Sequence, residues 1–309
     1  MTKPTTRSLP LGNGLRSTTL LAGTHNTKGD WVVFLHGFPD NHHSFRQQIP
    51  ALVEAGYRVA CPMMPGYEAS SQNRPGHYDI HSVSGQLIHL IDSLNTPMHN
   101  GISTVGRRAF AVHLVGHDWG AITGFALVCQ KPELFKTYTS LSIPYGLSLK
   151  GVLKQAKAYL PNSWYIQLFQ LRGIAESLIQ VRQLWFIDQL IDNWNPGWDM
   201  PASHQSSIRH TLSAPGVLPA ALGYYRAIYG LSQRARKSRE LLNQRIDVPT
   251  LLIQGLKDRS IPPALWNLNH RNLYSQTMHH EQLSCGHWPH QEMAQPVNTL
   301  LLNWLMTHG

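Results

Sequence analysis

The chain has 309 residues, a formal net charge of +9, and 42% hydrophobic against 14% charged residues, with a sequence pI near 9.6. Nine Trp and eleven Tyr add to that apolar content, enough for a large interior, which excludes a disordered chain and fits one α/β core with an insertion. Three scattered cysteines, Cys61, Cys129 and Cys285, exclude a disulfide framework and a paired-cysteine zinc site, and fit a reducing compartment.

The start, MTKPTTRSLPLGNGL, carries charge but no unbroken apolar stretch. No window approaches the ~18 apolar residues of a membrane span, so a soluble, cytoplasmic protein without a span is expected. RSLPL and LRSTTLLAG flank Gly12-Asn13-Gly14, the signature of a hairpin whose turn needs positive φ. WVVFLH, Trp31 to His36, reads as a buried strand, Ser44 to Ala55 as a helix, YRVACP as a strand and Asp79 to Leu94 as a helix. FAVHLVG, from Phe110, predicts a strand, Trp119 to Gln130 a helix, and TYTSLSI the sixth strand. This alternation predicts a mainly parallel, doubly wound sheet with helices on both faces.

From about Gly146 to Gln233 the pattern becomes helical and rich in Tyr and Trp, SWYIQLFQLRGIAESLIQVRQLWFIDQLI among it, with no strand signal. Within the next stretch RARKSRE, Arg234 to Glu240, is the one compact basic run. It contains a glutamate and lacks interleaved aromatics, so it reads as a solvated helix face and no nucleic-acid partner is expected. VPTLLIQG and SQTMHHEQL resume the strands, and QPVNTLLLNWLM predicts a closing helix. The expected division is a core over residues 1–145, a helical cap over 146–235 inserted after the sixth strand, and the rest of the core over 236–309.

Four strand ends carry the chemistry. GHDWG, Gly116 to Gly120, has the spacing of a nucleophile elbow, a strand that turns sharply into a helix, with Asp118 at its apex. HGFP, His36 to Pro39, makes a tight loop whose Phe38 N–H is expected to join the Trp119 N–H as an oxyanion hole. Asp258, just past the VPTLLIQG strand, is placed to orient an imidazole, whereas Asp247 precedes that strand and SLSIPYGLS offers no acid. In CGHWPHQE, His287 follows the last strand in a glycine-flanked loop. Nucleophile, acid and histidine thus come in the chain order of an α/β-hydrolase triad.

With HGFPD, GHDWGA, the Asp258 loop and GHW in that order, the sequence resembles α/β-hydrolase fold enzymes of the epoxide hydrolase and haloalkane dehalogenase branch, and most of all the epoxide hydrolases, over nearly its whole length. The resemblance implies Asp118 as nucleophile, His287 as base, Asp258 as its orienting acid, and Phe38 and Trp119 as oxyanion donors. An aspartate nucleophile suits an sp³ carbon: displacement there leaves an alkyl ester, which water activated by His287 then cleaves. Two cap tyrosines protonate the opened oxygen in this family, and the aligned positions are Tyr165 in SWYIQLFQ and Tyr225 in LGYYRAIY. His36, Pro39, Trp164, Tyr224 and Trp288, which flank these motifs, are expected to line the substrate pocket.

The activity implied is the addition of water to a small hydrophobic epoxide to give a vicinal diol. The alternatives are a haloalkane dehalogenase on the same triad, and a hydrolase-fold protein that binds a ligand without turning it over. Dehalogenases usually bind halide through ring N–H donors; Trp119 offers one, but Phe38 stands where the second commonly lies, and fluoroacetate-type enzymes commonly carry Arg where this chain has Trp119. The PMMPGYEASS loop also departs from many relatives, which have an acid and an arginine near Met63 and Pro65. No metal or organic cofactor is implied, because His42-His43 and His279-His280 are adjacent pairs whose side chains diverge and His287 belongs to the triad.

Overall fold

The structure is a computed structural model that describes residues 3–73, 77–95, 98–99, 102–103, 111–146, 156–228, 232–267 and 271–309. Strands β1 (Thr5–Gly12) and β2 (Leu15–Ala22) form the expected hairpin. Asn13 and Gly14 supply positive φ values of 52° and 77° at its turn. Next come β3 (Trp31–Leu35), α1 (Ile49–Glu54), β4 (Arg58–Pro62) and α2 (Ile80–Asn95). A short ribbon, β5 (Met98–His99) and β6 (Ile102–Ser103), has no antecedent in the sequence reading, being too short to show a period of two.

The second run holds β7 (Val112–His117), α3 (Trp119–Gln130) and β8 (Phe135–Leu141). Phe110, where the β7 strand was expected to start, lies outside the described residues. The chain closes with β9 (Thr250–Gly255), a turn of helix α10 (Pro263–Trp266), β10 (Met278–Leu283), the short α11 (Pro289–Glu292) and α12 (Ala294–His308), after an insertion in which the described residues form six helices. Those six are α4 (Ala156–Gln170), α5 (Ile174–Gln180), α6 (Trp185–Trp194), α7 (Ala202–Ser213), α8 (Val217–Ile228) and α9 (Gln233–Leu241).

Eight strands form one sheet in the order β1-β2-β4-β3-β7-β8-β9-β10. Within this sheet only the pairings of β2 are antiparallel; β4, β3, β7, β8, β9 and β10 run parallel. Every residue of β3, β4, β7 and β9 is buried, as a sheet covered on both faces requires. Alternation along β3 separates two cores. Val33 and Leu35 pack with Leu87, Leu114 and Phe125 beneath α2 and α3. Val32 and Phe34 pack with Leu52, Val115, Ile253, Leu301 and Trp304 beneath α1 and α12.

The helix expected from Ser44 begins only at Ile49. Pro50 has no N–H and fits only the first turn. The preceding residues form hydrogen-bonded turns, and their side chains reach elsewhere: Ser44 Oγ lies 2.8 Å from His290 Nε2, and Gln48 Nε2 donates to the His290 carbonyl at 2.7 Å.

Between β8 and β9 the described residues contain no strand, and residues 147–155 and 229–231, which include the expected entry of the cap, lie outside the description. The expected end of the cap at 235 falls inside α9, which sits against α2, with Ser238 Oγ bonded to the His81 N–H at 3.2 Å. The basic run lies in this helix and its glutamate pairs with Arg236 at 3.1 Å across one exposed turn. Among the described residues no helix is long and apolar enough to cross a membrane.

Phe125 is wedged between Tyr138 and Tyr145, with ring centroids at 4.9 and 4.5 Å. Replacing Phe125 by Ala is expected to lower unfolding free energy by about 3 to 5 kcal/mol, read from urea denaturation, because that slot cannot collapse around the cavity.

Candidate active site

The centre of the site is made by backbone crowding. β7 ends at His117, α3 begins at Trp119, and Asp118 between them takes φ 51° and ψ −121°, a conformation that costs about 1 to 3 kcal/mol. A Cβ at Gly116 would strike the Gly120 carbonyl and the Ala121 backbone, and one at Gly120 would strike the Leu35 carbonyl. Both positions therefore require glycine, and the turn presents Asp118 at the carboxyl end of the sheet.

The loop after β3 comes to meet it. Phe38 N–H donates to Asp118 Oδ1 at 2.7 Å, an approach allowed because Gly37 has no Cβ to collide with the carboxylate. The Trp119 N–H opens α3 and belongs to the set of donors a helix leaves without intrahelical partners.

His287 closes the third side. Its Nδ1 lies 2.8 Å from Asp258 Oδ2, and its Nε2 lies 3.6 Å from Asp118 Oδ2. The Ile261 N–H holds the other Asp258 oxygen at 2.9 Å. Behind the imidazole, the His287 carbonyl accepts from Ser142 Oγ at 2.8 Å and pairs with His117 Nε2 at 2.7 Å. Burial works against a charge on His287, but the Asp258 charge and then the Asp118 carboxylate outweigh it and push the imidazole up to about 10. His117 moves the other way, down to about 4, through burial and the neighbouring His287 charge, and so remains a neutral donor.

A second buried carboxylate, treated in the sequence only as the last letter of HGFPD, organises the surroundings. Asp40 Oδ1 accepts from the Asn41 N–H at 2.8 Å and meets His204 Nε2, on α7, at 2.9 Å. Its Oδ2 accepts from Ser44 Oγ at 2.6 Å, Trp288 Nε1 at 3.0 Å and Gln291 Nε2 at 3.1 Å. Burial opposes the charge, yet His204 and these donors hold the Asp40 carboxyl well below the usual carboxylate range. The oxyanion loop, the His287 loop and a helix of the insertion are thus tied to one anion. Only its proximity to the oxyanion loop marked it in the sequence; its partners are far away in the chain.

Tyr165 from α4 and Tyr225 from α8 meet above Asp118, with ring centroids 6.2 Å apart. Tyr225 packs edge-on against Phe38 at 5.5 Å and Trp119 at 4.9 Å. Burial and then the Asp118 charge push its phenol well above the ordinary tyrosine range, so it stays a donor. Tyr165 lies 3.4 Å from Ser260 Oγ and packs on Trp194 at 5.2 Å. Phe169 and Trp194 complete this roof, Phe169 at 5.0 Å from Tyr225 and Trp194 at 5.3 Å from His287. The sequence reading missed both, since an aromatic residue at helical spacing carries no mark that separates roof from core.

The five expected pocket residues divide. Trp164 is not in the pocket: one residue along a helix turns by about 100°, so burying Tyr165 leaves Trp164 outside, 53% exposed and resting on Phe186. His36 serves as a clamp, its Nε2 accepting from the Met64 N–H at 2.9 Å while Nδ1 donates to the Gly37 carbonyl at 3.0 Å. Pro39, joined to Phe38 by a cis peptide, is buried in the loop. Tyr224 packs on Trp119 at 5.5 Å but ties its hydroxyl to the Pro65 carbonyl at 2.7 Å, anchoring the divergent PMMPGYEASS loop. Trp288 lies behind His287, stacked on Trp194 at 5.8 Å.

A family model described as alpha/beta hydrolase fold matches residues 30–293. The chain is 27% identical over 294 residues to AB hydrolase superfamily protein YfhM of Bacillus subtilis, covering 95% of each chain. It is likewise 27% identical over 326 residues to Epoxide hydrolase A of Mycobacterium tuberculosis, again covering 95% of each. Among solved structures, epoxide hydrolase VrEH1 from Vigna radiata superimposes with a TM-score of 0.76 at 24% identity, over 98% of both chains. At that identity the structural likeness speaks to the fold alone.

Two measurements check the electrostatics. Asp40→Ala leaves a buried imidazole and several buried donors unpaired, and is expected to cost about 3 to 5 kcal/mol in urea unfolding. His287 gains proton affinity on folding, so the stability it adds is full below its unfolded pKa of about 6.5 and is lost as pH rises toward about 10. Urea midpoints are expected to fall across that window by more in the wild type than in His287→Gln.

Proposed function

The chain belongs to the α/β-hydrolase fold family, and from that premise we propose that it is an epoxide hydrolase that opens a small hydrophobic epoxide to a vicinal diol through an alkyl ester on Asp118. The observation that carries this reading is the state of the apex carboxylate. One oxygen accepts from Phe38 N–H at 2.7 Å, and the other faces His287 Nε2 at 3.6 Å beneath two tyrosines. A serine at this apex would attack acyl carbon; a carboxylate attacks a strained alkyl carbon and leaves an ester.

In this mechanism Asp118 Oδ2 forms a bond to an epoxide carbon as the ring C–O bond breaks. Tyr165 and Tyr225 donate to the departing oxygen, and one phenol gives up its proton. Alkylation removes the Asp118 charge, one of the two that hold His287 protonated in the resting site. The imidazolium then passes its proton, by way of solvent, to the tyrosinate, and neutral Nε2, still oriented by Asp258, takes a proton from the water that attacks Asp118 Cγ. The oxyanion develops on Oδ1, which already has the Phe38 N–H and has the Trp119 N–H beside it. Collapse breaks the Cγ–Oδ2 bond, His287 gives the proton it took from water to the departing diol oxygen, and the proton left on the new Asp118 carboxyl passes to His287, which restores the carboxylate and the imidazolium.

The helices of residues 146–235 act here as the cap, since both tyrosines and the aromatic roof come from them. Phe169 and Trp194 in the roof, facing Phe38 and Trp119 of the core, suit an apolar substrate. Halide displacement is served less well: the Trp119 ring offers an N–H, but the Phe38 ring has none to offer beside it.

The test is intact mass spectrometry of His287→Gln incubated with epoxides, alkyl halides and esters. A mass gain equal to the whole epoxide, mapped to Asp118 and absent in Asp118→Ala, is expected, with turnover at least about 10²-fold below wild type. A gain equal to an alkyl halide less HX would make it a dehalogenase. No adduct in any class, with an inactive wild type, would make it a binding protein. Tyr225→Phe is expected to slow ester formation about 10²-fold without changing ester hydrolysis, read by quenched single-turnover assays.

A further inference from the structure

Eight large apolar side chains stand exposed among the described residues, and six of them fall in one segment of the insertion: Trp164, Leu171, Ile174, Leu178, Val181 and Trp185, each between 49% and 56% exposed. They share a surface. Trp164 lies on α4 and Leu171 directly follows its last residue, while Ile174 and Leu178 are four apart on α5 and share one face of it. The Trp164 ring meets Phe186 edge-on at 5.8 Å, which joins this stripe to the start of α6 and Trp185. A solvated helix face does not gather its apolar residues in this way; a contiguous patch marks a place where something docks.

Between Trp164 and Trp185 the uncommitted charges are both positive, and Asp192, exposed farther along α6, lies beyond them. Arg172 and Arg182 are exposed between its apolar residues. Glu176, the acid inside the segment, is already committed, accepting from Arg226 Nη1 at 2.7 Å and from the Gly173 N–H at 2.8 Å. Asp188, the next acid along α6, pairs with Arg209 at 2.6 Å. Gln167, Ser177, Gln180 and Gln183 fill the rest of the exposed face without charge. The chain as a whole carries +9.

We propose that this face of the insertion docks on an anionic lipid bilayer. Trp164 and Trp185 sit at the level of the headgroups, where an amphipathic indole is most at home, the aliphatic stripe enters the acyl boundary, and Arg172 and Arg182 meet lipid phosphates. A second copy of the chain fits less well: a two-fold interface would set the two arginines of one face against those of the other, with no uncommitted acid in the segment to offset them. Docking stands independently of the reaction. If the epoxide hydrolase reading also holds, the docked helix α4 carries Trp164 in the lipid surface and Tyr165 in the site, which brings a membrane-dissolved apolar substrate to the roof of the pocket.

The test is co-sedimentation of the full chain with phosphatidylcholine vesicles that contain or lack phosphatidylglycerol, together with tryptophan emission. The wild type is expected to bind the phosphatidylglycerol vesicles, more weakly as salt rises, with a blue shift in emission. Trp164→Ala/Trp185→Ala and Arg172→Glu/Arg182→Glu are each expected to reduce the bound fraction about tenfold or more. Both double variants change exposed side chains only, and circular dichroism confirms that they fold; Met306→Ala, exposed on α12, is expected to bind as wild type. Failure to bind anionic vesicles, or equal binding by all variants, overturns the proposal. So does a wild-type dimer in light scattering that the double variants convert to monomer, which would assign the face to a second copy. None of these readouts uses catalysis, so the docking and the chemistry fail separately.

Discussion

At Asp118 three segments of backbone meet more closely than side chains permit, and the glycines at 37, 116 and 120 mark the points of contact. The positive φ of Asp118 is the local cost, and the surrounding sheet and helix are what hold it. Once the turn is forced, the remaining geometry follows. The carboxylate is presented past the end of β7, the loop after β3 lays its Phe38 N–H against one oxygen, and the first turn of α3 brings a second N–H close by. A larger side chain at any of these glycines would displace the whole arrangement.

Charge supplies the second constraint. His287 lies between two carboxylates, bonded to Asp258 and 3.6 Å from Asp118, in a site where its ring is fully buried. In such surroundings a proton is held strongly when both carboxylates are ionised and weakly once one is esterified. In the proposed reaction, alkylation of Asp118 would remove one of these charges and so turn His287 from imidazolium to neutral base. Asp40 extends the same economy outward. By gathering donors from Ser44, Trp288, Gln291 and His204, it sets the insertion against the two loops that carry Phe38 and His287.

The insertion presents two unlike surfaces. Toward the sheet, Tyr165, Phe169, Trp194 and Tyr225 pack on one another, and Asp118 is buried. Away from it, Trp164 and its apolar neighbours remain in solvent. A helix with aromatic residues at adjacent positions cannot bury both, and α4 buries the one whose hydroxyl reaches the site.

The sequence by itself determined the order of the main strands and helices, the sites of the sharp turns, and that Asp118, Asp258 and His287 stand at strand ends, because each is written locally: glycine and proline in fixed frames, a period of two or of 3.6, an acid or a histidine at a strand end. It also determined that the apex of the turn after β7 carries a carboxylate, that of Asp118. Tertiary structure alone decided which aromatic residues roof the site, that Trp164 faces out while Tyr165 faces in, that His36 clamps a loop, and that Asp40 binds three distant segments together. Those outcomes depend on contacts between residues as far apart as Asp40 and Gln291, and no local pattern records a partner some 250 positions away along the chain. The helix expected from Ser44 shows the same limit on a smaller scale, since its first residues gave up helical bonds for side-chain bonds to His290 that exist only once the last loop has folded back.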